Sequence, residues 1–295
     1  MAADATDGRP DFLVIGAMKC ATTTLHAQLA RQPGVFMSDP KEPNYFSDDD
    51  VFARGADWYA SLFRGAPPGS VRGESSTHYA KLPAYPRTVE RIARALPGVK
   101  FVDLMRNPID RLISQYVHER TVGRVGVGVE AALAEAPGLI DYGRYAMQLA
   151  PYLDAFGPAR VLPVFFRSLV DRPHDELRRI GRFLGVPTRL AWDETLGPQN
   201  VGSERLRRSV VRETLVKAPV LTPLRRRLVP PRLALPLKAL WRAREGRPTL
   251  PAGLEARLED VFDEDLERLG AWLGVSLTCR SFDEAAVARP PEWRV

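Results

Sequence analysis

The feature that most constrains the fold is a short apolar run that leads directly into a glycine- and threonine-containing loop and then a helix. Residues 12–15 (Phe-Leu-Val-Ile) have the pattern of a buried strand, and residues 16–24 form the loop. Residues 24–30 are typical of a helix that ends at Pro33 and Gly34. A loop in this position directs backbone N–H groups and the positive end of the helix dipole at one point. The pattern therefore predicts an anion site for a phosphate or a sulfate.

The position of the lysine distinguishes this loop from the loop that binds nucleoside triphosphates. In the pattern Gly-x-x-x-x-Gly-Lys-Ser/Thr, counted from Gly16, the second glycine falls on Ala21 and the lysine on Thr22. The chain instead has Lys19 in the middle of the loop, where it can contact the bridging oxygen of a single 5′-phosphate that carries one sulfuryl group. The remaining oxygens can be bound by three hydroxyls, those of Thr22, Thr23 and Thr24. The alternative is a structural turn in which Lys19 is solvated and the threonines cap the helix.

A second group of residues suited to a phosphate follows a strand predicted at residues 99–105. Arg106 ends this strand, and Ser114 lies eight residues further on, inside a helix predicted over residues 109–120. An arginine fork and a hydroxyl that converge from a strand end and a helix suit a second phosphate.

The order of elements predicts an α/β fold, a single three-layer, P-loop-like domain over residues 1–295 with a central parallel sheet flanked by helices. A third strand is predicted at residues 160–166, where Pro163 favours an edge position or a bulge. A helix follows at residues 173–184, with Gly185 as its C-terminal cap. One or two amphipathic helices near the C-terminus are predicted from apolar residues at helical spacing: Leu254, Leu258, Val261, Phe262, Leu266, Leu269 and Leu273.

Composition predicts a soluble protein of the cytoplasm. No signal peptide is visible, and eighteen consecutive apolar residues occur nowhere in the chain. The two cysteines, Cys20 and Cys279, are too few for a disulfide framework and exclude a cysteine-rich zinc site. The frequent use of Ala, Arg and Pro is typical of a bacterium with GC-rich DNA.

Most of the net charge of +6 comes from a basic, proline-interrupted segment at residues 204–247. It contains 13 Lys or Arg against 3 Asp or Glu, a balance of +10. Three interpretations remain open: a lid over an acceptor pocket, a surface that contacts an anionic membrane or carrier, and a solvated excursion. We favour the lid, because binding loops of this length are usually functional or disordered. Trp241 alone provides no stacking platform, so no nucleic acid is expected as a partner.

Together, the two motifs resemble those of the sulfotransferase superfamily that uses 3′-phosphoadenosine 5′-phosphosulfate (PAPS). The loop is similar to the 5′-phosphosulfate motif of this superfamily at Gly16, Lys19, Thr22, Thr23 and Leu25. The second group, about ninety residues further on, is similar to its 3′-phosphate motif at Arg106, Asn107, Pro108, Arg111, Ser114 and Tyr116.

Two further segments resemble the heparan-type, carbohydrate-modifying branch and its bacterial relatives. Residues 41–46 (Lys-Glu-Pro-Asn-Tyr-Phe) are similar to its Lys-Glu-x-x-x-Phe segment, and residues 73–79 to its Gly-Glu-Lys-Ser-Pro-x-Tyr strand. Ser75 replaces the lysine of that strand, and Asn44 stands where the heparan-type members have histidine. The substrate preference of that branch is therefore not carried over. The resemblance covers about residues 11–190 and the C-terminal helices.

The resemblance implies in-line transfer of a sulfuryl group from PAPS to a hydroxyl or an amine, with release of adenosine 3′,5′-bisphosphate. Lys19 is the candidate to stabilise the charge that builds up on the leaving oxygen, and no metal is expected. Glu42 matches the glutamate base of the heparan-type branch, and its structural alternative is a surface acid paired with Lys41. His78 and His118 are alternative bases.

The resemblance also implies which residues bind the donor: Lys19, Cys20, Ala21, Thr22, Thr23, Thr24, Arg106 and Ser114. Cys20 is interpreted as a small filler rather than a nucleophile. Arg111 either joins the second phosphate site or makes a structural ion pair, and residues 200–203 are a candidate for a loop that closes over the nucleotide.

The acceptor is left open among a small molecule, a glycan and a lipid-linked group. Two other functions fit part of the pattern. A small-molecule kinase is disfavoured by the missing Gly-Lys-Ser/Thr sequence. A non-catalytic nucleotide-binding module is disfavoured because the chain has both Lys19 and Glu42.

Overall fold

The computed structural model describes residues 8–126, 128–196, 248–288 and 290–295. In this part of the chain, five strands form one sheet: β1 (Phe12–Gly16), β2 (Val35–Met37), β3 (Val71–Ser75), β4 (Lys100–Met105) and β5 (Val161–Phe165). The basic segment at residues 204–247 and the candidate closing loop at residues 200–203 lie outside the described residues, so the lid hypothesis stays a prediction.

The described residues also form the helices that surround the sheet. They are α1 (Thr22–Ala30), α2 (Asp49–Phe52), α3 (Ala56–Ser61), α4 (Thr88–Ala95), α5 (Pro108–Thr121), α6 (Val129–Glu135), α7 (Gly138–Asp141), α8 (Tyr145–Phe156), α9 (Phe166–Asp171), α10 (Pro173–Leu184), α11 (Ala252–Leu273) and α12 (Phe282–Ala288). Two 3₁₀ turns accompany them, at Thr77–Ala80 and Pro158–Arg160.

The sheet is parallel throughout, with the strand order β2-β3-β1-β4-β5. All five residues of β1 are buried, which fits a central strand covered by helices on both faces. The predicted α/β fold with a central parallel sheet is confirmed. Because ligands of such sheets bind outside the carboxyl ends of the strands, the loops after β1, β3 and β4 are where a site is expected.

Several local predictions are confirmed by the element boundaries. Pro163 lies in β5, the edge strand, whose only partner in this sheet is β4. Gly185 ends α10 with a φ of 79°, the left-handed conformation that glycine adopts at helix ends.

Two local predictions need correction. Helix α1 begins at Thr22, two residues earlier than predicted, so the threonines form its first turn instead of a loop. Val261 is 39% exposed, although the other six residues of the C-terminal stripe are buried. Its neighbour Phe262 occupies the buried position of that turn, and adjacent helical residues point about 100° apart.

The ends of β1 and β4 approach each other closely at Gly16. This residue pairs in register with Asp103, and a Cβ atom at Gly16 would lie 2.7 Å from both Asp103 Oδ1 and Ala80 Cβ. Only glycine fits here without displacing a neighbour. Asp103 is 1% exposed, and burial raises the pKa of its carboxyl from 3.8 to about 8. The side chain is therefore a neutral acid in the folded protein at neutral pH.

The buried Asp103 carboxyl generates a prediction about stability and pH. The folded protein keeps this proton up to about pH 8, whereas the unfolded chain loses it near 3.8, so its contribution to stability is lost as the pH rises between these values. Asparagine cannot ionise, so the free energy of unfolding of Asp103→Asn minus that of the wild type should rise from about pH 4 to about pH 8 and then level off.

Urea denaturation at several pH values measures this difference, and Asp154→Asn, an exposed carboxyl on α8, is the control. Glu74, another buried carboxyl of the sheet, titrates in both proteins and cancels in the difference. A difference that does not change with pH would show that Asp103 ionises normally.

Candidate active site

The loop after β1 is held in a conformation that residues other than glycine rarely adopt. Lys19 has a φ of 73° and Ala21 a φ of 67°, both in the left-handed region, and they flank Cys20. Such residues cost about 1–3 kcal/mol each and cluster at ligand-binding loops. Successive N–H groups in loops of this kind form a concave site for anions. The Ala17 N–H donates to the Leu104 carbonyl at 2.7 Å and fastens the loop to β4.

The first turn of α1 leaves its N–H groups directed at this loop. The residue before the helix is Ala21, which makes no side-chain capping bond, so the structure does not bear out the alternative of a threonine cap. No acidic residue lies in the first turn to neutralise the positive end of the helix dipole. Thr22 and Thr24 are buried, and Thr23 is half-buried.

Cys20 lies beneath the loop and is fully buried. Burial raises the pKa of its thiol to about 12, although the positive charge of Arg111 and the hydrogen bond with the Tyr145 hydroxyl oppose this shift. The sulfur lies 3.8 Å from the Tyr145 hydroxyl oxygen and 3.8 Å from the Met18 carbonyl oxygen. A neutral, enclosed thiol is no nucleophile, which agrees with its interpretation as a filler.

Arg106 follows β4 directly and is positioned through its backbone. Its N–H donates to the Tyr145 hydroxyl at 3.1 Å, and this hydroxyl donates to the Arg106 carbonyl at 2.6 Å. The guanidinium group lies 4.9 Å from the centre of the Phe166 ring, with Nη2 3.4 Å from Asp110 Oδ2. The buried Nε makes no hydrogen bond to any residue that the structure describes. A buried donor without a partner is suited to receive a ligand oxygen.

The start of α5 fixes the residues that follow Arg106. Asn107 caps the helix, since its Oδ1 accepts from the N–H groups of Ile109 at 3.0 Å and Asp110 at 3.4 Å, and Pro108 occupies the first turn. Ser114 is four residues beyond Asp110 on the same face of the helix and is half-buried. Arg106, Asp110 and Ser114 are thus aligned along one side of the start of α5.

Arg111 is part of the core. It is fully buried and donates to Gln115 Oε1 at 2.6 Å and to the Leu139 carbonyl. Both acceptors are neutral, so the structural ion pair that was the alternative is not observed among the described residues. A role at the second phosphate stays a prediction. Burial lowers the pKa of the Arg111 guanidinium, with the Tyr145 and Cys20 side chains opposing the shift.

Glu42 lies in the segment after β2, facing the residues after β3. It has a φ of 60°, and its N–H donates to the Ser75 carbonyl at 2.9 Å. Its Oε1 lies 2.5 Å from Lys41 Nζ and accepts from the Thr77 hydroxyl at 3.4 Å. Burial tends to raise the pKa of Glu42, but the nearby positive charges of Lys41 and Lys81 outweigh it, so the pKa lies below its usual 4.5. Glu42 is therefore ionised at neutral pH and able to accept a proton.

His78 is close to Glu42 and already has a carboxylate partner. Its Nδ1 lies 2.9 Å from Asp48 Oδ1, and its ring stacks on Tyr85 with the ring centres 4.5 Å apart. Burial and the charge of Lys81 lower the pKa of His78, against the effect of Asp48. It is therefore a neutral imidazole at neutral pH, oriented by a carboxylate. His118 lies in the last turn of α5 and is half-buried.

Two residues near Glu42 were missed by sequence reasoning. His26, on α1, has its Nδ1 3.0 Å from the Ser75 hydroxyl, and burial together with Lys41 lowers its pKa to about 4. The only sequence signal for His26 is its spacing, four residues after Thr22 on the same helix. Lys81 follows the 3₁₀ turn Thr77–Ala80, and no sequence pattern distinguishes it.

The strand order brings the predicted residues to one edge of the sheet. Lys19 follows β1, Arg106 follows β4, and Glu42 and His78 follow β2 and β3. Among the described residues, no group of three or more His, Cys, Asp or Glu side chains is arranged to hold a metal ion, and no helix is long and apolar enough to cross a membrane. The fold defines a P-loop-like α/β protein with a lysine-containing loop in left-handed conformation after its central strand.

Comparison with known proteins identifies the family. The family model described as "Sulfotransferase family" matches residues 10–190, more than half of the chain, so the chain belongs to this family. A solved sulfotransferase from Alicyclobacillus acidocaldarius superimposes with a TM-score of 0.66 and 24% identity, over 91% of this chain and 97% of that one, which supports the same fold.

Curated relatives act on heparan sulfate, as their names state. The bifunctional heparan sulfate N-deacetylase/N-sulfotransferase 2 of Bos taurus is 28% identical over 210 residues, which cover 64% of this chain and 23% of that protein. Human heparan sulfate glucosamine 3-O-sulfotransferase 6 is 30% identical over 187 residues, or 60% of this chain and 52% of that protein. The chain thus spans about a quarter to a half of the length of these relatives.

Proposed function

We propose that this chain transfers a sulfuryl group from PAPS to a hydroxyl or amine of a glycan, small-molecule or lipid-linked acceptor and releases adenosine 3′,5′-bisphosphate. The observation that carries the proposal is the strained loop around Lys19, which presents a lysine, backbone N–H groups and a helix start to one anion. The names of the curated relatives favour a glycan among the three acceptor classes.

The donor is bound in two halves. Lys19, the N–H groups from Ala21 to Thr24 and the threonine hydroxyls hold the 5′-phosphosulfate, while the Cys20 N–H donates to the Ala17 carbonyl at 3.2 Å. Arg106 and Ser114 hold the 3′-phosphate, and the unpaired Nε of Arg106 supports this role. Thr22 stands where the nucleoside-triphosphatase loop has the lysine that contacts a triphosphate, so the loop is less suited to ATP.

The transfer step needs one proton acceptor and one stabilised leaving group. The acceptor oxygen or nitrogen attacks sulfur while the bond from sulfur to the 5′-phosphate oxygen breaks, and the acceptor proton passes to the Glu42 carboxylate. Lys19 stabilises the charge that develops on the phosphate oxygen, so it favours the transition state over the ground state. His78, neutral and oriented by Asp48, is the second candidate base. No metal takes part in this scheme.

A cytoplasmic location, a bacterial source and a single domain over residues 1–295 stay predictions from composition and element order. Contact of residues 204–247 with an anionic surface is likewise a prediction.

Calorimetric titration with adenosine 3′,5′-bisphosphate tests the donor site. Arg106→Ala should weaken binding about ten- to a hundredfold, because it removes charge-assisted hydrogen bonds worth about 1.5–3 kcal/mol each. Arg94→Ala, an exposed arginine of α4 paired with Glu90, is the matched control and should leave the affinity unchanged. Tighter binding of Mg²⁺-ATP than of the bisphosphate, with no effect of Arg106→Ala, would contradict the proposal and favour a kinase.

Turnover of PAPS tests whether Glu42 or His78 is the general base. The acceptor is the p-nitrophenyl glycoside that gives the highest turnover with the wild type. Glu42→Gln should lower kcat about a hundredfold or more, the usual contribution of a general base, while bisphosphate affinity persists. Glu90→Gln, an exposed glutamate of α4, is the control and should behave as the wild type. If His78→Gln carries the loss and Glu42→Gln does not, the histidine is the base.

A further inference from the structure

Tyr145, the first residue of α8, contacts the segments that carry both candidate phosphate sites. Its side chain is buried. The hydroxyl accepts from the Arg106 N–H at 3.1 Å and donates to the Arg106 carbonyl at 2.6 Å. The same hydroxyl oxygen lies 3.8 Å from Cys20 Sγ, in the loop after β1. One side chain therefore meets the residue after β4 and the loop that contains Lys19.

The hydroxyl holds Arg106 at a point where the sheet has ended. The last pair of the β4–β5 ladder is Met105 with Phe165, so Arg106 lies one residue beyond the ladder. Because Tyr145 bonds to both the N–H and the carbonyl of Arg106, it takes the place of a neighbouring strand there. A backbone fixed through both groups also fixes the direction in which the side chain leaves the chain.

The Tyr145 hydroxyl keeps the proton that this arrangement needs. Burial raises the pKa of Tyr145 well above its ordinary value of 10, so the group is neutral at any pH at which the protein works. A neutral phenol donates one hydrogen bond and accepts others, which matches its two bonds to Arg106. Phenylalanine would keep the ring and leave both backbone groups without this partner.

The position of Tyr145 is set by the core. Asp265 of α11 fixes the first turn of α8, since its carboxylate oxygens accept from the N–H groups of Ala146 at 2.8 Å and Met147 at 3.0 Å. The Tyr145 ring packs near Phe282, with the ring centres 6.2 Å apart. The hydroxyl is therefore in place before a ligand arrives, and a cation that it holds loses less freedom on binding.

Tyr152, about two turns further along α8, makes a comparable bond away from the phosphate sites. It is also fully buried, and its hydroxyl donates to the Tyr79 carbonyl at 2.8 Å. Tyr79 belongs to the 3₁₀ turn Thr77–Ala80, which carries none of the residues proposed to bind the donor. Loss of the Tyr152 hydroxyl thus removes a buried hydrogen bond from the same helix and leaves the backbone bonds of Arg106 intact.

We infer that Tyr145 is a positioning residue that aligns Arg106 with the Lys19 loop, and that its hydroxyl determines how strongly the site prefers a nucleotide with a 3′-phosphate. This inference rests on the proposed function, because it concerns the donor site of that reaction. Without the hydroxyl, Arg106 keeps its charge but is no longer held in one orientation. The 3′-phosphate then adds less to the affinity.

Calorimetric titration with adenosine 3′,5′-bisphosphate and with adenosine 5′-monophosphate, which lacks only the 3′-phosphate, measures this preference. We define it as the dissociation constant of the monophosphate divided by that of the bisphosphate. Tyr145→Phe should lower this ratio about tenfold, mainly through weaker binding of the bisphosphate. Tyr152→Phe should keep the wild-type ratio, and thermal melting checks that both variants fold. An unchanged ratio in Tyr145→Phe, or an equal fall in both variants, would overturn the inference.

Amide hydrogen exchange followed by NMR tests the positioning itself. In the ligand-free wild type, the Arg106 N–H should exchange about a hundredfold or more slowly than an unstructured amide, because it donates to the Tyr145 hydroxyl. Tyr145→Phe should remove most of this protection, and Tyr152→Phe should not. The wild-type measurement stands even if Tyr145→Phe does not fold. Exchange of the wild-type amide at the rate of an exposed loop would overturn the inference.

The two nucleotides separate this inference from the proposed function. If the wild type bound the bisphosphate no more tightly than the monophosphate, the proposed donor site would be wrong. If the wild type preferred the bisphosphate and Tyr145→Phe kept that preference in full, only the role of Tyr145 would be lost.

Discussion

The close approach of β1 and β4 is the constraint on which the site depends. The glycine at position 16 lets the two strands meet where any side chain would collide with Asp103, and the bond from Ala17 to Leu104 continues the contact into the loop. Because Lys19 follows one strand and Arg106 follows the other, this junction sets the separation of the two candidate anion sites. The left-handed residues of the loop are tolerated because the surrounding core over-determines their conformation.

The charged residues of the candidate site form two groups, one after β1 and β4 and one after β2 and β3. On the side of β1 and β4, Lys19 and Arg106 provide the positive charge proposed to bind the donor. On the side of β2 and β3, the Glu42 carboxylate lies near Lys41 and Lys81, and their positive charges keep it ionised. The arrangement accounts for a candidate base that stays deprotonated at neutral pH.

The sequence predicted the features that local physics determines. Three features depend only on the local backbone: an apolar run before a glycine loop, a proline in an edge strand and a glycine at a helix end. The structure confirms all three. Contacts between distant segments were not accessible in this way. His26 meets Ser75 from 49 residues away, and the burial of Arg111 depends on the Leu139 carbonyl from another helix. Lys81 belongs to no motif, because its position near Glu42 comes from the fold and not from a local pattern.

A crystal structure with adenosine 3′,5′-bisphosphate tests the central claim most directly. The account predicts the 5′-phosphate against the N–H groups of the loop, within hydrogen-bonding distance of Lys19 Nζ, and the 3′-phosphate against Arg106 Nε and Ser114. Glu42 should then face the side of the 5′-phosphate from which an acceptor approaches. A bisphosphate bound with its 5′-phosphate away from the Lys19 loop, or with Arg106 Nε still without a hydrogen-bond partner, would contradict the account.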